Sequence, residues 1–157
     1  MKIKIKKLRE DAIIPAKKTE GAVGYDLAVP CDALIKDVRQ VIPLGFALEL
    51  PAGVEAKIEP RSGFSAKGIE GVYASIKSCS SRFNADVLVG KIDPDYRGEV
   101  GLIILNHEPD KRFIIKAGTR VAQMTFYRVA ETHGFDEVQE LTDTARGTGG
   151  FGHTGNR

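Results

Sequence analysis

The chain has 157 residues, of which 42% are hydrophobic and 28% are charged, and its formal net charge is +2. This length suits one domain with its own core and leaves no room for a second. The small net charge excludes the strong basic excess of proteins that follow a nucleic-acid backbone, so we expect no nucleic-acid partner.

The N-terminal stretch MKIKIKKLRE lacks the apolar segment of a signal peptide, and no apolar run is long enough to span a membrane. Cys31 and Cys79 lie far apart and form neither a CxxC pair nor a disulfide framework, which is typical of a reducing compartment. We therefore predict a cytoplasmic protein without a membrane partner, and we interpret both cysteines as ordinary thiols.

Strand patterns dominate the rest of the chain. Near the N-terminus, Lys2, Lys4 and Lys6 alternate with Ile3 and Ile5, which predicts a strand with one lysine face and one isoleucine face. Other short runs are rich in β-branched and aromatic residues and are divided by turn residues. They are residues 41–50, 53–59, 98–106, 113–118 and 120–129. With no helical apolar stripe in any window of a dozen residues, the pattern predicts an all-β, jelly-roll-like barrel.

Two segments do not fit this strand pattern. Residues 70–87 (EGVYASIKSCSSRFNADV) are too polar for a core strand, so we predict a long loop there. After Glu140 the chain offers only Leu141 and Phe151 as large apolar side chains. We therefore predict a barrel domain over residues 1–140 and a mobile, flexible C-terminal arm over residues 141–157.

The arm contains the glycine-rich stretch RGTGGFGHTG, residues 146–155. It matches G-x-G-x-x-G, but a dinucleotide fingerprint needs a following helix and a Walker loop needs Lys-Ser/Thr, and neither follows here. Glycines let backbone N–H groups approach anionic oxygens, Arg146 offers a fork of donors, and Phe151 can stack on a base. The arm is therefore either a lid over a phosphate-bearing ligand or a plain disordered tail.

Two further polar clusters suggest anion chemistry. EPRSGFSAKG (59–68) places a guanidinium, a hydroxyl and exposed amides in succession, which is either an anion-binding corner or a surface turn. GKIDPDYRGEVG (90–101) holds Asp93, Asp95 and Glu99 between two strand-like runs. These carboxylates either solvate a hairpin or supply a general base or metal site near a polyphosphate.

With AVGYDL (22–27) and RVAQ (120–123), these clusters make up five stretches in a fixed order. In that order the chain resembles the trimeric dUTP diphosphatases, whose five motifs are matched by AVGYDL, PRSGFSAKG, GKIDPDYRGEVG, RVAQ and RGTGGFGHTG. The resemblance spans residues 22–155. It implies hydrolysis of dUTP to dUMP and pyrophosphate, which limits uracil in DNA and supplies dUMP for thymidylate synthesis.

The resemblance also implies roles for individual residues. Asp93 is expected to be the general base that activates water for attack on the α-phosphorus, near the 3′-hydroxyl. Tyr96 is expected to pack on the deoxyribose and exclude a 2′-hydroxyl. Asp26 is expected to position Mg²⁺ through a bound water, with the metal resting on phosphate oxygens. The other implied substrate contacts are Gly90, Lys91, Ile92 and Gly101 on uracil through backbone groups, Arg61, Ser62, Gly63 and Gln123 on the phosphates, Arg146 and Thr154 on the γ end, Phe151 stacked on uracil, and Gly152 through its backbone.

The resemblance further implies a homotrimer in which the tail of one chain closes over a site formed by the other two. Two features depart from the family pattern. His153 stands where serine is common, so the hydroxyl that the family pattern offers to a phosphate is absent there, and whether the imidazole, which can also donate a hydrogen bond, contacts phosphate stays open. The stretch from Gly63 to Gly90 is longer than usual, and Asn84 is an unassigned candidate for uracil recognition.

Three alternatives remain open from the sequence. IDPDY (92–96) is also similar to a stretch of the related dCTP deaminases, but those enzymes carry a catalytic glutamate on the next strand, where this chain has Ile103. A nucleotide-binding module without turnover would keep the pocket but not need Asp93. A structural jelly roll would bind no nucleotide.

Overall fold

The computed structural model describes residues 1–76 and 79–150. Within these ranges the chain forms thirteen strands and one short helix, and all strand pairs are antiparallel. The all-β prediction is therefore confirmed. The strands are β1 (Lys4–Lys7), β2 (Tyr25–Ala28), β3 (Ala33–Ile35), β4 (Arg39–Pro43), β5 (Phe46–Glu49), β6 (Val54–Pro60), β7 (Ile69–Tyr73), β8 (Ser80–Phe83), β9 (Ala85–Leu88), β10 (Gly90–Ile92), β11 (Gly101–Asn106), β12 (Phe113–Ile115) and β13 (Arg120–Arg128). The helix α1 (Ser62–Lys67) follows β6.

The strands form four sheets around one core. Their orders are β1-β5, β10-β6-β13-β2, β4-β11-β9 and β3-β12-β7-β8. The pairing of β6 with β13 is the longest, running from Ala122 opposite Pro60 to Arg128 opposite Val54. This long pair is the frame on which the candidate site is built.

Each run predicted to be extended contains a strand. Residues 41–50 form two strands, β4 and β5, because Gly45 has a φ of 77° and turns the chain between them. In β1 the expected alternation holds, since Ile5 is half-buried and its lysine neighbours are exposed. The helix α1 was not predicted, because it buries only Phe64 and so leaves no periodic apolar stripe.

The loop prediction for residues 70–87 is wrong. Most of this segment lies in β7, β8 and β9, and β7 pairs with both β8 and β12. Ser80 and Ser81 occupy exposed and half-buried positions on the edge strand β8, whereas Val72, Phe83 and Val87 are buried in the core. Polar residues on the outer face of an edge strand lowered the average hydrophobicity and hid the inward alternation.

Aromatic packing joins this unexpected hairpin to the core. The rings of Phe83 and Phe113 stack with centroids 4.2 Å apart, and Tyr73 meets Phe83 edge-on at 5.0 Å. Both phenylalanines are buried, so the β7–β8 hairpin is anchored by large apolar side chains.

Gly68 is a backbone position where a side chain should be strongly destabilising. Its φ is 77°, and a Cβ there would collide with the carbonyl oxygen of Phe83. We expect Gly68→Ala to lower the free energy of unfolding by about 2–4 kcal/mol, measured by urea denaturation. Gly53→Ala is the matched control, because its φ is 70° with open space around the Cβ, and it should cost about 1–2 kcal/mol. Equal losses in the two variants would contradict the steric part of this account.

The chain after β13 has a different character. Residues 129–150 contain no helix or strand, and residues 131–148 are all exposed. Within the described ranges the only helix is the six-residue α1, which is too short to cross a bilayer.

Candidate active site

Three of the motif stretches meet at one end of β6. A cavity of about 330 Å³ there is lined by Asp26, Arg61, Ser62 and Gln123, together with Lys18 and residues 22–24. We call it the clamp cavity. Gly63 lies next to it in the first turn of α1.

Strand pairing explains why these distant residues meet. The central strand β13 pairs with β2 on one side and with β6 on the other, so Gln123 lies opposite both Asp26 and Glu59. The chain then leaves β6 at Pro60 and enters α1, with Arg61 at the N-cap. The first N–H groups of a helix lack acceptors within the helix, so they are available to an anion beside Ser62 and Gly63.

Arginines hold the Asp26 carboxylate from two directions. The Nε of Arg61 lies 3.2 Å from Oδ1, and the Nη1 of Arg120 lies 2.8 Å from Oδ2. Arg61 also donates from Nη1 to the carbonyl oxygen of Arg120 at 2.8 Å. The Asp26 side chain is 17% exposed, so this network fixes the Arg61 guanidinium at the wall of the cavity.

Arg120 is a site residue that the sequence reasoning did not select. It stands three positions before Gln123 in the same RVAQ stretch, and that neighbourhood was the available signal. Arg120 contacts Asp26 because β2 pairs with β13, and this long-range pairing cannot be read from the local sequence.

Asp93 lies in a second cavity at the opposite end of β6. This cavity, of about 590 Å³, is lined by Glu55, Lys91, Asp93 and Pro94 and by residues 129–132 at the start of the C-terminal segment. We call it the hairpin cavity. The Lys91 Nζ pairs with the Glu55 Oε2 at 2.7 Å, and this bond raises the pKa of Lys91 above its ordinary value. Asp93 itself is exposed to solvent.

The turn after Asp93 is held by its own backbone. The Tyr96 N–H donates to the Asp93 carbonyl at 3.1 Å, and the Tyr96 hydroxyl donates to the Glu99 carbonyl at 3.0 Å. The Glu99 carboxylate accepts the Gly45 N–H at 2.7 Å, so this carboxylate has a structural partner. Tyr96 is exposed, with its ring on the surface beside the predicted base.

The residues predicted to read uracil fall on two sheets. Gly90, Lys91 and Ile92 form β10, an edge strand that pairs with β6 in its sheet. The other side of an edge strand presents backbone N–H and C=O groups, which is what recognition of a base edge needs. Gly101 begins β11 and lies opposite Pro43 in the neighbouring sheet.

A single chain does not bring the two cavities together. Ile92 lies opposite Ala56, so Asp93 follows toward Glu55, whereas Arg61 comes after Pro60 at the far end of the same strand. Six residues of extended chain from 55 to 61 span about 20 Å. Asp93, the predicted general base, and the clamp cavity therefore lie at opposite ends of β6.

Arg146 lies in an exposed turn of the C-terminal arm. Its Nε donates to the Gly149 carbonyl at 2.9 Å, and the Gly147 N–H donates to the Thr144 carbonyl at 3.0 Å. The predicted contacts of Phe151, Gly152, His153 and Thr154 lie outside the described residues.

The residues that line the clamp cavity fit a magnesium ion carried on the phosphates of a substrate. In residues 1–76 and 79–150, no group of three or more His, Cys, Asp or Glu side chains is arranged to hold a metal. Asp26 faces the clamp cavity, and its oxygens keep lone pairs beyond those used by the two arginines. That donor set suits a hydrogen bond from a metal-bound water, because Mg²⁺ retains several waters when it binds phosphates.

Comparison with known proteins identifies the family of this chain. The family model described as dUTPase matches residues 10–155. The deoxyuridine 5′-triphosphate nucleotidohydrolases of Nautilia profundicola and of a Hydrogenobaculum species are 41% and 42% identical, and each alignment covers 99% of this chain and 99% of the relative.

Solved structures support the fold. A mutant dUTPase of Staphylococcus bacteriophage 80alpha, solved with dUpNHpp, matches with a TM-score of 0.81 at 24% identity, over 98% of each chain. A mutant dUTPase of phage phi11 of S. aureus, described with a structural Mg(II) ion, matches with a TM-score of 0.72 at 20% identity, over 90% of this chain and 99% of that one. The match to the family model and the near full-length relatives identify the chain as a member of the dUTPase family.

Proposed function

We propose that this dUTP diphosphatase converts dUTP to dUMP and pyrophosphate at a site shared between copies, with Asp93 from one copy and the clamp cavity from another. The observation that carries the proposal is the separation of about 20 Å between these two groups along β6. A water that attacks the α-phosphorus must touch the base and the clamped substrate at once, so one chain cannot supply both.

The clamp cavity would hold the triphosphate. Arg61 offers a planar fork of donors, Ser62 a hydroxyl and Gln123 an amide, all on one rim. Since Asp26 and the Arg120 carbonyl already fix the Arg61 guanidinium, its orientation costs little entropy when phosphate binds. Gly63 presents backbone beside this rim, where no side chain obstructs an approaching oxygen.

Asp93 would act as the general base. Its carboxylate accepts a proton from water as the water oxygen forms a bond to the α-phosphorus. The bond between the α-phosphorus and the bridging oxygen breaks, and pyrophosphate leaves with that oxygen. Asp93 is exposed on a turn fixed by the Tyr96 N–H bond, so it can reach a substrate bound on a neighbouring copy.

Mg²⁺ would be held on the phosphate oxygens, with Asp26 accepting a hydrogen bond from one of its waters. When bound, the metal neutralises phosphate charge and favours the departure of pyrophosphate. Asp26 also keeps Arg61 and Arg120 in place. The Asp26 carboxylate would thus both orient the two arginines and bind a water of the metal ion.

Selection for deoxyuridine would rest on the hairpin cavity. The free edge of β10 offers backbone groups to pair with uracil, and a cytosine there would leave some of them unpaired. The Tyr96 ring lies on the surface two residues after Pro94, where it can pack against a deoxyribose and exclude a 2′-hydroxyl.

We propose a homotrimer, as the family resemblance implies. A head-to-tail contact that joins the hairpin end of one copy to the clamp end of the next closes into a ring. The outer face of the β4-β11-β9 sheet supports association, because Val41 is 63% exposed and lies opposite Ile103, which in turn lies opposite Leu88. Exposed apolar surface of this kind marks interaction sites.

The arm of residues 141–157 would serve as the lid. Residues 131–148 are exposed and leave the barrel from the hairpin end, where the Val129 N–H bonds to the Gly53 carbonyl. The glycine-rich stretch that begins at Arg146 can then cover the substrate and exclude water.

The dCTP deaminase alternative lacks its catalytic group. Ile103 stands where the glutamate would be required, half-buried on β11 between Val41 and Leu88. An isoleucine transfers no proton, and its apolar neighbours offer no replacement.

A substrate panel tests the proposed reaction. The protein is incubated with dUTP, UTP, dTTP and dCTP plus Mg²⁺, and both pyrophosphate and ammonia are measured. We expect pyrophosphate from dUTP alone. Ammonia from dCTP would assign the chain to deamination, and binding of a non-hydrolysable dUTP analogue without release of pyrophosphate from dUTP would assign it to nucleotide sensing.

A further inference from the structure

Glu55 is a buried carboxylate that the proposed reaction does not use. It lies on β6 and is 9% exposed, and among the described residues it is the only charged one in the buried core. Removing a carboxylate from water is costly unless a group of opposite charge stays with it. That group is the Lys91 ammonium, whose Nζ lies 2.7 Å from the Glu55 Oε2. Glu55 therefore holds Lys91 more firmly than an exposed carboxylate would.

The register of β6 and β10 explains why this pair forms. Lys91 lies directly opposite Lys57, and like charges in that position repel each other. The Lys57 Nζ lies 4.8 Å from the centre of the Tyr127 ring. Lys91 instead reaches Glu55, which stands two positions before Lys57 on β6. The two amino groups thus have separate partners, and Lys57 does not take the place of Lys91 beside Glu55.

Asp93 lies close enough to compete with Glu55 for the same amino group. Lys91 and Asp93 both line the hairpin cavity, and they are two positions apart at the end of β10, so their side chains leave the chain on the same side. Glu55 raises the pKa of Lys91 through their hydrogen bond, and the charge of Asp93 adds to this effect. Among the described residues that line this cavity, Lys91 is the only positively charged one.

The partner of Lys91 decides whether Asp93 is available as a base. A carboxylate paired with an ammonium group is a weaker proton acceptor, because the positive charge favours its ionised form. An attacking water also needs a free carboxylate oxygen within hydrogen-bond distance. Asp93 is exposed, and its backbone carbonyl accepts the Tyr96 N–H. With Lys91 held by Glu55, the Asp93 carboxylate remains open to water.

We propose, on the basis of the proposed function in which Asp93 is the general base, that Glu55 is a positioning residue that keeps the Lys91 amino group away from the Asp93 carboxylate. Glu55 touches no reacting atom and acts through Lys91. Without Glu55, the carboxylates that line the hairpin cavity are Asp93 and Glu131. Glu131 lies on an exposed segment without helix or strand, which would have to become ordered to hold a lysine. Asp93 is therefore the favoured new partner of Lys91.

Steady-state kinetics of the full-length protein with dUTP and Mg²⁺ test this. Glu55→Gln should lower kcat by about tenfold or more, because a neutral amide holds Lys91 less well than a carboxylate and part of the effect of the base is lost. KM should stay within about twofold of the parent, because the clamp cavity is unchanged. Adding Lys91→Met should restore kcat to within about threefold of the parent, because no amino group then remains to pair with Asp93.

Lys57→Met in the Glu55→Gln background is the matched control. It removes a second lysine from the same face of the sheet, but one whose amino group lies over the Tyr127 ring. This double variant should stay as slow as Glu55→Gln alone. Equal rescue by Lys57→Met and Lys91→Met would show that the total charge of this face matters, and it would overturn the proposal. A Glu55→Gln variant with the parent kcat, or one that Lys91→Met does not rescue, would also overturn it.

Thermal melting checks that each variant is folded. If Glu55→Gln does not fold, Glu55→Asp replaces it, because it keeps the charge and shortens only the reach toward Lys91. That variant should lose about threefold or more in kcat, again restored by Lys91→Met. Failure of the proposed function is distinguishable, because Asp93→Asn would then hydrolyse dUTP at the parent rate. Failure of the role of Glu55 alone would leave Asp93→Asn nearly inactive and Glu55→Gln fully active.

Discussion

Replacing Asp93 with asparagine is expected to reduce dUTP hydrolysis by about 10²–10⁴-fold, the range that a positioned general base contributes. Asparagine has nearly the same shape but cannot accept the proton of the attacking water. Because Asp93 is exposed and not in the core, the variant should fold normally. Pyrophosphate release gives kcat, and calorimetry with dUpNHpp should show an affinity close to that of the parent.

Asp95→Asn is the matched control for this variant. Asp95 is an exposed carboxylate two residues further along the same turn, with no assigned role in the reaction. Its kcat should stay within about twofold of the parent, since exposed surface substitutions usually have small effects. A comparable loss in the two variants would mean that the charge of the turn matters and not a specific base.

Removing residues 146–157 is expected to lower kcat by about 10²-fold or more while leaving the barrel equally stable. All thirteen strands end by Arg128, and residues 131–148 are exposed, so the truncation deletes no core contact that the structure describes. The loss of activity comes from the missing lid, which would exclude water and supply Arg146 to the phosphates.

Two measurements separate the lid from a structural role. The urea midpoint of the truncated protein should match that of the full chain, and kcat for dUTP should fall. A truncated protein that hydrolyses dUTP at the full rate would contradict the lid. One with a clearly lower urea midpoint would show that the arm stabilises the barrel.

Local patterns were sufficient for most of the fold. In β11 every second residue is buried, and in β1 Ile5 is half-buried between exposed lysines, so period-two alternation identified both strands. The same rule failed for the β7–β8 hairpin, because β8 begins with two serines and only Phe83 of that strand is buried. Its anchor, the stack of Phe83 on Phe113, joins residues thirty positions apart and leaves no local signal.

The candidate site was predictable in its members but not in its geometry. The motifs named Asp26, Arg61 and Gln123, and they meet because β13 lies between β2 and β6. Asp93 lies at the other end of β6 because of the register in which β10 pairs with β6. This register cannot be predicted from the local sequence of either strand. Arg120 was missed for the same reason, because its partner Asp26 is ninety-four residues away.

The central claim is that Asp93 of one copy acts on a substrate clamped by a second copy. Asp93→Asn and Arg61→Gln chains, each carrying a different affinity tag, are co-expressed and purified through both tags so that only mixed trimers remain. In the proposed homotrimer, every mixed ring has one interface that joins an intact Asp93 to an intact clamp cavity, so we predict about one third of the parent activity per trimer, although each variant alone should be nearly inactive. Mixed trimers as inactive as the two separate variants would show that base and clamp work within one chain.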